Sequence, residues 1–159
     1  MRELPEQRID PKAVLYWRWA AAINCLFLFL VPAGYYAAVR FWNLPDWITI
    51  ILLIITFSIA IFLVLFKPQI TWQTWRYNIS EQEIDLLRGV FIKKRTLIPM
   101  VRVQHVDTEQ GPLLKKYGLS TITISTAAGT HEIPALADET AALLRDRISE
   151  LARVVDEDV

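Results

Sequence analysis

Trp47-Ile-Thr-Ile-Ile-Leu-Leu-Ile-Ile-Thr-Phe-Ser-Ile-Ala-Ile-Phe-Leu-Val-Leu-Phe66 carries no charged side chain. A similar run precedes it, Trp19-Ala-Ala-Ala-Ile-Asn-Cys-Leu-Phe-Leu-Phe-Leu-Val-Pro-Ala-Gly-Tyr-Tyr-Ala-Ala-Val39. About 20 apolar helical residues cross the ~30 Å hydrocarbon core of a bilayer. No water there can satisfy an exposed peptide group, so an isolated apolar segment has to be helical. The two runs are read as transmembrane helices over 19–39 and 47–66. The first starts only after a polar leader over 1–18, and no convincing cleavage site follows it, so a removed signal peptide is the poorer reading.

The flanks give an orientation. Tyr16, Trp17 and Trp19 open the first run, Tyr35, Tyr36, Phe41 and Trp42 close it, and Trp47 opens the second. Such rings suit the headgroup layer. The linker Arg40 to Asp46 is short, which makes the pair an antiparallel hairpin with both termini on one side. Arg8, Lys12, Arg18, Lys67 and Arg76 lie on that side, against Arg40 alone at the turn. The excess of positive charge predicts cytoplasmic termini. Pro32 and Gly34 are candidate bend positions. Asn24 is read as a polar residue tolerated near the interface rather than as a bond to a partner helix.

Composition fits this division. Hydrophobic residues make up 53% of the 159, and the excess lies between about Trp19 and Phe66. The 17 basic and 17 acidic residues cancel, so net charge points to neither nucleic acid nor an acidic substrate. The distribution is uneven: Arg88, Lys93, Lys94, Arg95, Arg102, Lys115 and Lys116 face only Asp107 and Glu109 in the middle of the chain, and residues 156–159 form an acidic tail. Cys25, the single cysteine, cannot form an internal disulfide.

Beyond residue 69 the pattern becomes short and β-rich. Strands are expected over Ile70–Ile79, with Trp72 and Trp75 on opposite faces, and over Glu83–Leu87. Arg88-Gly89 reads as a tight turn into Val90–Ile98. Val101–Thr108 and Leu119–Thr126 follow, and Ala128-Gly129 turns into Thr130–Ile133. Val101 and Val103 share a parity that Val106 breaks, which calls for a bulge near Gln104-His105. Pro112 and Gly118 bracket one or two helical turns. Asp138 is an N-cap candidate for an amphipathic helix whose apolar stripe is Ala141, Leu144, Ile148, Leu151 and Val155. A sheet of six or seven strands closed by one helix results.

This order of elements resembles the pleckstrin-homology fold. The sequence resembles the bacterial PH-like membrane family of the YdbS-like kind. The resemblance is carried by Tyr77-Asn78-Ile79, Arg88-Gly89, Arg102-Val103-Gln104-His105-Val106, Gln110-Gly111-Pro112-Leu113, Tyr117-Gly118-Leu119 and Thr126-Ala127-Ala128-Gly129. It implies a two-helix membrane hairpin plus a β-rich PH-like barrel capped by a C-terminal helix over 69–155, in a bacterial cytoplasmic membrane. It brings no established catalytic residues.

Little else in the chain suggests chemistry. His105 and His131 lack further ligands at metal-binding spacing, Cys25 is in the membrane, and no phosphate loop is visible. No cofactor or metal is expected. The most suggestive feature is basic: Arg88, Lys93, Lys94, Arg95, Lys115 and Lys116 form a candidate contact for anionic headgroups or a partner, each charge contributing ~1 kcal/mol beside an anionic leaflet. The plain alternative is a set of solvated charges guarding an edge strand. The resulting expectation is a non-catalytic binding or scaffold module that meets other membrane proteins or a second copy. An anionic-lipid sensor is the alternative, and a membrane enzyme is weaker still.

Overall fold

The computed structural model describes residues 4–42, 44–90 and 92–157. The chain divides into two compact units, Trp17–Gln69 and Met1–Tyr16 with Ile70–Val159.

In the first unit, α1 (Ala13–Leu28) and α2 (Leu30–Trp42) form a 30-residue apolar helix interrupted at Phe29. Pro32 has no N–H to give the Leu28 carbonyl, so the ladder opens one turn before it. After the turn, α3 (Trp47–Ile61) passes through a π-helical turn at Phe62–Phe66 into α4 (Lys67–Thr74), a second helix of 28 residues. The widened turn has the same kind of cause. Pro68 cannot donate to Val64, and the Lys67 N–H reaches back five residues to Phe62. The Tyr35 hydroxyl donates to the Pro45 carbonyl at 3.3 Å, and an Arg18 guanidinium N–H donates to Gln69 Oε1 at 3.3 Å. Both helices run past the predicted spans.

The predicted strand Ile70–Ile79 is half wrong. Residues 70–74 continue α4, and only β2 (Arg76–Ile79) is extended. Extending an existing helix avoids the cost of a new nucleus, and this outweighs the β-prone composition. Trp72 therefore sits in the last helical turn, and Trp75, which is buried, follows it. The helix also runs through Lys67-Pro68, beyond the end of the predicted span at Phe66.

Strands β1 (Gln7–Arg8), β2, β3 (Glu83–Arg88) and β4 (Lys94–Pro99) form sheet 1 in that order, all antiparallel. The leader thus contributes a strand. Its register pairs Gln7 with Tyr77 and Arg8 with Arg76. The hairpin at Arg88-Gly89 is not a tight turn. In the loop that precedes β4, residues 89, 90, 92 and 93 lie outside any strand, and β4 begins at Lys94 instead of Val90. Gly89 has φ +114, and a Cβ on it would fall on the Ile92 carbonyl oxygen, so only glycine closes this loop.

A 3₁₀ turn, Met100–Arg102, leads to sheet 2, where β5 (Val103–Glu109), β6 (Leu119–Thr126) and β7 (Gly129–Ala137) pair in order. The fourth predicted strand therefore starts two residues late. Its pairing with β6 shifts between Val103 and His105, the expected bulge. Strand β7 runs past Ile133 through Pro134. The short helix α5 (Pro112–Lys116) and the final helix α6 (Asp138–Glu157) lie where predicted. Asp138 opens α6, and its carboxylate accepts from Ser120 Oγ at 2.6 Å and Gln110 Nε2 at 2.8 Å. The side chain of Val155, and residues 158–159 of the acidic tail, lie outside the described residues.

The core follows from the two periodicities. Tyr77, Ile84, Leu86 and Ile98 come from one face of sheet 1, and Leu119, Ile122, Ile124, Ile133 and Leu136 from sheet 2. Ala141, Leu144 and Ile148 come from α6. Burial raises the Tyr77 phenol above its ordinary pKa. Thr123, on the face of β6 opposite Ile122 and Ile124, is buried as well.

The leader is fastened at three points. Beyond the β1–β2 pairing, the Asp10 N–H donates to the Ala135 carbonyl at 3.3 Å, and the Trp72 indole N–H donates to the Ile9 carbonyl at 3.1 Å. Ile9 and Ala13 are buried. Replacing Trp72 by Phe keeps an aromatic side chain but removes the indole N–H that the Ile9 carbonyl accepts. It should cost about 1 kcal/mol in urea unfolding of the full-length protein; unchanged stability would show that this bond does not hold the leader.

Candidate functional site

The register of sheet 1 gathers charge that is scattered in sequence. Directly paired residues on antiparallel strands point to the same face. Arg8 pairs with Arg76, Arg76 with Leu87 and Leu87 with Arg95. One row across the sheet therefore carries three arginines on one face. Tyr77 and Leu86, one residue further into the sheet, belong to the opposite, buried face. One step the other way, Arg88 pairs with Lys94 at the hairpin end of the two strands.

These cations are in different states. The Arg8 guanidinium stacks over the Trp72 ring at 5.9 Å. Lys93 and Lys94 are exposed, and Arg88 is half-buried. Arg95 is engaged: its Nε donates to both carboxylate oxygens of Asp85 at 3.0 Å, and its Nη2 lies 2.5 Å from Asp85 Oδ2. That hydrogen bond, then the charges of Asp85 and Glu83, raise the Arg95 pKa above its ordinary value against a lowering by desolvation. Asp85 is itself buried, so the pair satisfies a carboxylate that would be costly alone. Beside it the leader closes a cavity of about 190 Å³ lined by Pro5, Glu6, Asn78, Asp85 and Arg95.

The predicted basic patch therefore separates. Arg88, Lys93 and Lys94 meet at the hairpin mouth of sheet 1. Arg95 is on that sheet but holds Asp85. Lys115 and Lys116 end α5, which packs on β6 of sheet 2. Arg8 and Arg76, which the sequence showed only as positive flanks of the helices, join the basic end. A two-residue strand in the leader leaves no periodic signal to reveal this.

Sheet 2 offers a different surface. Its edge strand β5 lies beside α6, and a groove of about 310 Å³ runs between Val103, Gln104 and Val106 on the strand and Ser149, Ala152 and Arg153 on the helix. His105 Nε2 lies 3.1 Å from Asp107 Oδ1, with both side chains exposed. The structure gives His131 a place on β7 opposite Ile124. No three His, Cys, Asp or Glu side chains among the described residues gather into a metal-binding group.

Two sheets, a closing α6 and two preceding apolar helices define a class, a PH-like domain joined to membrane helices. The chain matches the bacterial PH domain family over residues 14–152 and belongs to it. It is 45% identical to the UPF0699 transmembrane protein YdbS of Bacillus subtilis over 159 residues, the whole of both chains. It is 28% identical to the UPF0699 transmembrane protein YdbT of the same organism over 81 residues, 51% of this chain and 16% of that protein. No solved structure matches it significantly. The protein is thus a PH-domain protein of the membrane.

The Asp85–Arg95 pair should behave as one unit. Asp85→Asn should lower stability by about 1–2 kcal/mol in urea unfolding. Adding Arg95→Gln should then cost little more, because the shared interaction is already gone. Fully additive losses would contradict the pairing.

Proposed function

We propose that this protein is a non-catalytic binding module, held at the cytoplasmic face by its two helices, which works within a membrane protein complex. In this reading the helices cross the bilayer over 19–39 and 47–66, the PH-like domain over 69–155 is the working part, and 156–159 is an acidic tail. The observation that carries it is the groove between edge strand β5 and α6. A strand edge presents unpaired backbone donors and acceptors to which an extended segment can add, and a neighbouring groove can take its side chains. The bulge at Gln104 limits indiscriminate pairing along that edge.

Sidedness is supported by connectivity. β1 and β2 pair in one water-soluble sheet, so Arg8 and Arg76 lie on the same side of any bilayer, and the helices between them cross it an even number of times. The charges Lys12, Arg18 and Lys67 favour the cytoplasm for that side. The family relation of one stretch of this chain to 16% of the longer YdbT is consistent with a domain type that also works inside a larger membrane protein. A specific observation favours a second activity, contact with anionic headgroups: Arg8, Arg76, Arg88, Lys93 and Lys94 share one end of sheet 1.

A photo-crosslinking amino acid at Gln104, exposed on β5, tests the partner reading in intact membranes. A discrete adduct is expected from Gln104, either at twice the monomer mass or with another membrane protein, and none from the same probe at Ala128. Monomer alone from both positions would overturn the proposal.

A further inference from the structure

The loop between β3 and β4 carries an exposed Ile92 just ahead of the exposed Lys93 and Lys94. Ile92 is 83% exposed, the most exposed large apolar side chain of the described residues. Lys93 and Lys94 follow it directly, and Arg88 stands opposite Lys94. Solvent is a poor environment for such an isoleucine, and the loop is not a loose one. Gly89, at φ +114, brings the backbone against the Ile92 carbonyl oxygen, a closure that a side chain would block.

The position of the loop in the sheet matters as much as its composition. In the antiparallel order β1-β2-β3-β4, the C-terminal ends of β1 and β3 lie at the same end of sheet 1 as the N-terminal ends of β2 and β4. The β3–β4 connection, with Ile92 and Lys93, is at that end. At the same end the chain leaves Arg8 for α1, with residues 9–12 between, and enters Arg76 from α4 across Trp75 alone. The tip therefore projects from the end of the sheet that connects to both apolar helices, among Arg8, Arg76, Arg88, Lys93 and Lys94.

From this we infer that the β3–β4 loop is a membrane-inserting tip: Ile92 enters the outermost acyl layer of an anionic bilayer while Arg88, Lys93 and Lys94 hold headgroups around it. The occupant is lipid because the loop pairs an apolar point with cations at its base, the arrangement that suits a boundary where hydrocarbon meets anionic headgroups. The chain brings its own helices to such a boundary. The proposal rests on the headgroup reading for its charges and adds insertion to it. It makes no use of the β5–α6 groove. In this account Arg95 is excluded from lipid by its bond to Asp85, and the tip fixes the orientation of a domain that is already tethered.

The test uses the full-length protein in nanodiscs, with Cys25 replaced by Ala and an environment-sensitive fluorophore on Cys introduced as Ile92→Cys. Lipid-borne nitroxides serve as quenchers, one on the headgroup and one near the top of the acyl chain. With anionic phosphatidylglycerol present, the acyl-chain nitroxide should quench the tip at least twofold more than a control probe at Ala128, and Lys93→Glu with Lys94→Glu should remove most of that difference. Quenching by the headgroup nitroxide alone would overturn insertion while leaving headgroup contact standing. Quenching by neither would overturn both. Acyl-chain quenching that is unaffected by the double charge reversal would overturn the part assigned to the two lysines.

Discussion

The path of the chain through sheet 1 depends on a short antiparallel contact, Gln7–Arg8 of the leader against Arg76–Tyr77. It closes the chain on both sides of the two apolar helices, so the helix pair is inserted between the first two strands of a sheet. The contact is small, but its neighbours secure it. Ile9 is buried, its carbonyl takes the Trp72 indole N–H, and Asp10 donates to the Ala135 carbonyl of β7. Residues 7–10 thus touch sheet 1, the end of α4 and sheet 2. Two strands and their hydrogen bonds would not persist alone in water; burial of Ile9 and Ala13 against the same unit provides the apolar part of the stabilisation.

This closure shapes the surface as well. Without β1, Arg8 is a flanking charge in a tail. With it, Arg8 and Arg76 stand side by side on one row and Arg95 two strands away. Like charges directly opposite one another are unfavourable on a sheet. The fold relieves this in two ways, by stacking Arg8 on Trp72 and by pairing Arg95 with Asp85. The end of the sheet keeps its free surface, where Lys93 and Lys94 are exposed beside an exposed isoleucine.

How far the sequence could be read depends on the range of the interaction concerned. The helix pair was legible because twenty uncharged residues are a local property. So were α5, bracketed by Pro112 and Gly118, the stripe of α6, and the bulge that the parity of Val103 and Val106 required. Residues 70–74 were misread because β-prone side chains were weighed without the helix already running into them. The leader strand and the commitment of Arg95 were not legible at all. Neither leaves a local pattern: Arg8 meets Arg76 across the whole helix pair, and Arg95 reaches Asp85 across a hairpin whose length was itself misjudged. Of the six basic residues singled out from sequence, the structure brings Arg88, Lys93 and Lys94 together.

The most direct measurement of this account is amide hydrogen exchange on the full-length protein in nanodiscs, followed at residues 7–10 and 76–79. If the leader is a strand of the sheet, its amides that donate to the fold, Asp10 among them, exchange far more slowly than in a free peptide, and Ile9→Asp releases residues 7–10 and 76–79 together. Exchange of residues 7–10 at the free-peptide rate in the unmutated protein, with 76–79 still protected, would contradict it.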